Sequence, residues 1–190
     1  MNIAVLASGE GTTLQAVLDA CASGRLAARV GVVISNNPAA GALRRAQAAG
    51  VPARHLSAAT AGGAAALDRA LRDTLIESGT DLVMLAGYMK RLGPATLGHF
   101  AGRIINTHPA LLPEFGGQGM FGLNVHRAVL AAGRRLSGAS VHWVDENYDT
   151  GVVIAQVRVP VEPGDSPERL AARVQAAERE LVIEVLAAAA

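Results

Sequence analysis

Short runs in which nearly every residue is apolar alternate along this chain with longer stretches where Leu, Val and Ala recur every three or four positions. The first kind reads as strands buried on both faces, the second as helices with one apolar side. "NIAVLA" (2–7), "RVGVVIS" (29–35), "DLVMLAG" (81–87) and "GRIINTH" (102–108) are predicted strands, with a shorter one at 53–56. Helices are predicted between them: "TLQAVLDACASG" (13–24), closed by Gly24; "AAGALRRAQAAG" (39–50), closed by Gly50; and "GGAAALDRALRDTLIESG" (62–79). "PATLGHF" begins on Pro94, which suits a first helical turn. Residues 109–124 are rich in Pro and Gly and lack periodicity, the sign of a long functional loop. "VHRAVLAAG" (125–133) is helical in pattern. "SGASVHWV" (137–144) and "GVVIAQVRVPV" (151–161) are strands joined by the acidic turn "DENYDT". Residues 166–189 form a long amphipathic helix with Ser166 as cap and Pro167 in its first turn. The alternation predicts an α/β protein, a mainly parallel twisted sheet flanked by helices. No repeat or linker interrupts it, so one domain over 1–190 is expected.

Composition narrows the function classes. With 190 residues, 51% hydrophobic and 17% charged, the chain can bury a substantial core. The net charge is +1, and sixteen Arg and the single Lys90 are scattered, which argues against nucleic acid as a partner. Cys21 is the only cysteine. That excludes an internal disulfide framework, suits a reducing compartment, and reads as a small buried residue of the first helix. The N-terminus lacks the basic segment of a signal peptide, and no run approaches the roughly 18 apolar residues of a membrane span. A cytoplasmic protein acting on small molecules, away from membranes, is expected.

Two places carry candidate chemistry. "ASGEGTTLQ" (7–15) sets a strand, a glycine turn and a helix start in series, where free N–H groups and the helix dipole favour an anion. Leu14 stands where a dinucleotide fingerprint needs its third glycine, and no Lys follows as in a Walker loop. What remains is a site for one phosphate at Gly11, Thr12 and Thr13, or a plain tight turn capped by Ser8 or Thr12. The second place is "INTHP" (105–109), where Asn106 and His108 share a strand face. A carboxamide can polarise a carbonyl and an imidazole can manage a proton, the needs of acyl transfer. An acid orienting the imidazole would complete the set, and Asp145, Glu146 and Asp149 are not separable by pattern. His142 and Ser140 share a face of the neighbouring strand. A metal at His108, His126 and His142 matches no standard ligand spacing.

"LASGEGTTLQ", "AGYMKRLGP", "INTHPALLPEF" and "GASVHWVDENYDTGVVIAQ" together resemble phosphoribosylglycinamide formyltransferase, from Met1 to about Leu186. Its signature is Asn-x-His-Pro at 106–109 with Asp-x-Gly at 149–151. The resemblance implies the Rossmann-like formyltransferase fold, with a phosphate-binding half over about 1–100 and a folate-binding, catalytic half over about 101–190. It implies Asn106, His108 and Asp149 as the catalytic trio. Gly11, Thr12 and Thr13 would take the phosphate of glycinamide ribonucleotide, and Glu178 its ribose hydroxyls, with Gln175 on the same helix face. The co-substrate 10-formyltetrahydrofolate would lie against Lys90, Arg91 and Leu92 and the 144–149 turn, including Val144 and Asp145. Met89 would face the junction of the two ligands. No metal is implied, and the oligomeric state is left open.

Three positions depart from that family. Thr13 replaces a common Asn, Ala64 replaces an Arg that some members bring near the folate's glutamate tail, and the 116–124 loop is longer than in shorter members, with glycines that suit a flexible lid. Related folate enzymes are set apart by added parts. Methionyl-tRNA formyltransferase normally carries a basic C-terminal domain and formyltetrahydrofolate hydrolase an N-terminal regulatory one, so length and charge point to the small-substrate transferase. A non-catalytic nucleotide-binding protein is the alternative from another class.

Overall fold

The computed structural model describes residues 1–190. Seven strands form one sheet in the order β3-β2-β1-β4-β5-β6-β7, from β1 (Asn2–Leu6), β2 (Arg29–Ser35), β3 (Ala53–His55), β4 (Leu82–Leu85), β5 (Ile104–His108), β6 (Leu136–Trp143) and β7 (Val153–Pro160). The helices are α1 (Thr12–Ala22), α2 (Gly41–Ala48), α3 (Ala58–Ala61), α4 (Ala64–Glu77), α5 (Pro94–His99), α6 (Leu123–Ala131) and α7 (Pro167–Ala189). None is long and apolar enough to cross a membrane. The chain divides into two compact units, Met1–Ile105 with Ala190, and Asn106–Ala189, changing from one to the other within β5.

In the first unit β1 pairs in parallel with β2 and β4, and β2 with β3. Ile3, Val5, Leu6, Ile34, Val83 and Met84 are fully or almost fully buried, as all-apolar strands require. The chain runs outward from β1 through β2 to β3 and returns to β4 on the other side of β1. That reversal places the loops after β1 and β4 side by side, where α/β sheets open a crevice. In the second unit β6 and β7 are antiparallel. Val141, Val159, Leu170, Val174, Val182 and Leu186 build its core.

The helix expected over 62–79 forms as α4 from Ala64, and a short helix that was not expected, α3, precedes it. Gly62 and Gly63 hold φ of 88° and 124°, which no helix tolerates, and Ser57 with Thr60 makes a capping box that starts α3. Cys21 is half-buried rather than buried, and burial pushes its thiol pKa up. Neither Ser8 nor Thr12 caps α1. Its N-cap is Gly11 at φ 72°, with no side-chain capping bond. Gly11 is required there twice over, since a Cβ would also lie 2.7 Å from Ala42 Cα. Asp68 of α4 caps α5: its carboxylate accepts from the amides of Ala95 (2.8 Å) and Thr96 (3.0 Å) and from the Thr96 hydroxyl (2.7 Å). Burial pushes the Asp68 pKa up, but these bonds and the Arg72 charge outweigh it and hold it below 3.8.

Candidate active site

Extended backbone from Ile104 to His108 sends alternate side chains to opposite faces. On one face Thr107 donates from its hydroxyl to Glu178 Oε1 at 2.8 Å, and both residues are buried. Asn106 and His108 project from the other face and meet Asp149. His108 Nδ1 lies 3.5 Å from Asp149 Oδ2, and Asn106 Nδ2 is 3.4 Å from Asp149 Oδ1. The His108 and Asp149 side chains are 4% and 11% exposed, so their interaction is little screened by water.

Asp149 is aimed by its backbone. It and Phe115 are the two non-glycine residues with positive φ, at 56° and 55°, and both serve this site. The Phe115 carbonyl stands 2.7 Å from His108 Nε2. A carbonyl only accepts, so Nε2 carries a proton and Nδ1 is the nitrogen that gains or loses one beside the carboxylate. Gly117 N–H donates to Asp149 Oδ2 at 2.9 Å. Burial is the main influence on His108 and holds its pKa below 6.5, against the upward pull of Asp149 and of Phe115. Burial pushes Asp149 up, while the His142 and His108 imidazoles and the Gly117 amide outweigh it and hold its pKa below 3.8.

A fourth side chain, His142 of β6, completes the cluster. Its Nδ1 is 2.8 Å from the Trp143 carbonyl, so Nδ1 bears a proton, and its Nε2 lies 3.1 Å from Asn106 Nδ2. His142 Nε2 also lies 3.5 Å from Asp149 Oδ1. His142 thereby fixes which way the Asn106 amide faces. The Asp-x-Gly spacing follows from the same contact, because a Cβ at Gly151 would collide with the Trp143 carbonyl. Ser140, two residues before His142, donates to the Ala110 carbonyl (2.6 Å) and accepts from the Leu112 amide (3.1 Å), which ties down the loop that follows β5. Pattern suggested only that Ser140 and His142 share a face. Their partners on the β5 side, Asn106, Ala110 and Leu112, sit 36, 30 and 28 residues away in sequence and left no local signal.

The remaining predicted residues distribute as follows. Asp145 does not reach an imidazole: its carboxylate is taken up within its own turn by Asn147 N–H (2.9 Å) and the Thr150 hydroxyl (2.8 Å). Val144 is half-buried beside it, and Glu146 is exposed. Gln175 is exposed on α7, whereas Glu178, an ordinary surface acid by pattern, is 8% exposed. His126 is buried on α6, with burial and nearby His108 holding its pKa down. In the first unit, Gly11, Thr12 and Thr13 open α1, with Thr12 exposed and Thr13 half-buried. Met89, Lys90 and Arg91 are exposed after β4, and Leu92 is buried.

A buried imidazole, an ionised acid and an oriented carboxamide are the parts needed to stabilise a tetrahedral oxyanion and move a proton. Residues 1–186 match the family model described as formyl transferase. The chain is 43% identical over 178 residues to phosphoribosylglycinamide formyltransferase of Escherichia coli (strain K12), covering 94% of this chain and 82% of that protein. The crystal structure of glycinamide ribonucleotide transformylase 1 from Symbiobacterium toebii matches with a TM-score of 0.92 and 43% identity, covering 98% of this chain and 86% of that one. The corresponding structure from Geobacillus kaustophilus gives a TM-score of 0.92 and 39% identity, covering 99% and 97%. The chain belongs to the formyl transferase family and, within it, to the phosphoribosylglycinamide formyltransferases.

Proposed function

We propose that this enzyme transfers the formyl group of 10-formyltetrahydrofolate to the amino group of glycinamide ribonucleotide, a step of purine biosynthesis. The observation that carries the reading is the convergence of Asn106, His108 and Asp149 in one cluster around a buried imidazole. The substrate amine attacks the formyl carbon, a C–N bond forms, and the carbonyl oxygen becomes an oxyanion. Asn106 turns to that oxygen the N–H of its long 3.4 Å contact with Asp149, His108 redirects its Nε2–H to it from the Phe115 carbonyl, and Asp149 stabilises the imidazolium form of His108. The intermediate collapses as the bond from carbon to the folate nitrogen breaks, and the proton lost by the attacking amine passes to that nitrogen by way of water near Asp149. The chemistry calls on no metal, because an ion-paired imidazole polarises the formyl carbonyl.

The uncapped first turn of α1 supports Gly11, Thr12 and Thr13 as the seat of the phosphate. Glu178, a buried carboxylate already hydrogen-bonded to Thr107, suits ribose hydroxyls, with Gln175 one turn before it. Met89, Lys90, Arg91 and Leu92 are the folate-binding residues of the first unit, and Val144 and Asp145 those of the second. The test is a formyl-transfer assay with purified enzyme and these two substrates, followed by the absorbance of the released folate. Turnover that requires both substrates is expected. Binding of the ribonucleotide with no formyl transfer would replace this reading with that of a non-catalytic nucleotide-binding protein.

A further inference from the structure

Ser8, the second residue beyond β1, uses every polar group it has. Its N–H donates to the Gly87 carbonyl at 3.1 Å, and its carbonyl accepts from Asn37 Nδ2 at 3.3 Å. Its hydroxyl donates to Asn36 Oδ1 and accepts the Met89 amide at 2.8 Å. One side chain therefore joins the loops that follow β2, β1 and β4, at the reversal point of the sheet. Asn36 gives the joint its direction. A hydroxyl has one proton, and with that proton committed to Asn36 a lone pair is left facing the Met89 N–H.

We infer that Ser8 is a positioning residue for the folate-binding segment, holding the Met89 peptide so that Lys90 to Leu92 present a fixed backbone to the co-substrate. The inference rests on the folate assignment above and adds a residue to it. The glycine turn does not depend on the Ser8 hydroxyl. It is held by Ala42 N–H to the Gly9 carbonyl (3.1 Å), Arg45 Nε to the Glu10 carbonyl (2.7 Å) and Gln15 N–H to the Gly11 carbonyl (2.9 Å). Removing the hydroxyl thus loosens one ligand segment and leaves the other in place, a split that a general loss of structure would not give.

The experiment uses the full chain in two arms. In the unliganded protein, amide hydrogen exchange of Ser8→Ala is expected to speed up over residues 88–92 and stay unchanged over 9–13. In the transfer assay the KM for 10-formyltetrahydrofolate is expected to rise about three- to tenfold, the range of one lost hydrogen bond, with the KM for glycinamide ribonucleotide within about twofold. Asn36→Ala should reproduce both effects more weakly, and Asn36→Asp, which keeps an acceptor for the hydroxyl, should restore them. If Ser8→Ala folds poorly, the Asn36 pair alone decides the matter. A working wild-type enzyme with an unchanged folate KM in Ser8→Ala overturns the inference alone, as does an equal rise in both KM values. A wild-type enzyme inert toward this substrate pair overturns the folate assignment, and the inference with it.

Discussion

Replacing Asp149 by Asn removes one negative charge from the site while keeping side-chain size. The charge sits 3.5 Å from His108 Nδ1, with both side chains almost out of solvent. At an effective dielectric of about 20, two unit charges at that separation attract by ~5 kcal/mol. Water that reaches the carboxylate removes part of this, leaving about 3–4 kcal/mol of imidazolium stabilisation, or ~10²–10³ in rate. Asp149→Asn should therefore lower kcat by about that factor, with an unchanged far-UV circular dichroism spectrum. A second readout is independent of turnover. Because burial already holds the His108 pKa below 6.5 and Asp149 opposes that fall, the His108 titration followed by NMR should move lower still in the variant. A folded variant with kcat within tenfold of the wild type, or a His108 titration that does not move, would refute the reasoning.

Asn106→Ala takes away one oxyanion donor and should cost about 10²–10³ in kcat while the protein stays folded, measured by steady-state assay and thermal melt. Gly116→Ala places a methyl 2.7 Å from Leu112 Cδ2 and 3.3 Å from Asp149 Cβ, so kcat should fall by at least about tenfold through displacement of the acid. Asp68 has a folded pKa below its ordinary 3.8, so the stability it contributes is fully present above that pH and is lost as the pH falls through the folded value. Urea midpoints from pH 7 to 3 should show Asp68→Asn well below the wild type at neutral pH and approaching it at the acid end.

Much of the architecture was legible because fully apolar runs such as residues 3–6 and 82–85 have one stable use, as strands covered on both faces. The short helix α3 was not, nor was the start of α4 at Ala64 rather than Gly62, because the positive φ of Gly62 and Gly63 is a backbone property that residue pattern does not carry. At the site, the period of two gave Asn106 and His108 a common face and left Thr107 on the other. Choosing among Asp145, Glu146 and Asp149 depended on backbone conformation: Asp145 bonds inside its own turn, while the left-handed geometry of Asp149 carries its carboxylate inward. Glu178 was misread by pattern because burial of a helix acid depends on a partner, Thr107, that is 71 residues away. Backbone groups such as the Phe115 carbonyl and the Gly117 amide leave no mark in a string of residue types.

The register shift between Val141 and His142 sets where this chain tolerates changes in length. Adding or deleting one residue between Ser140 and Trp143 would turn the His142 ring to the opposite side of the sheet and release the Asn106 amide. Beyond Gly117 the path from Gln118 to Gly122 supplies none of the contacts to the four clustered side chains, so insertions and deletions are cheap there and ruinous in the hairpin. Length variants at the two places therefore offer a way to separate a change in access to the chemistry from a change in the chemistry itself.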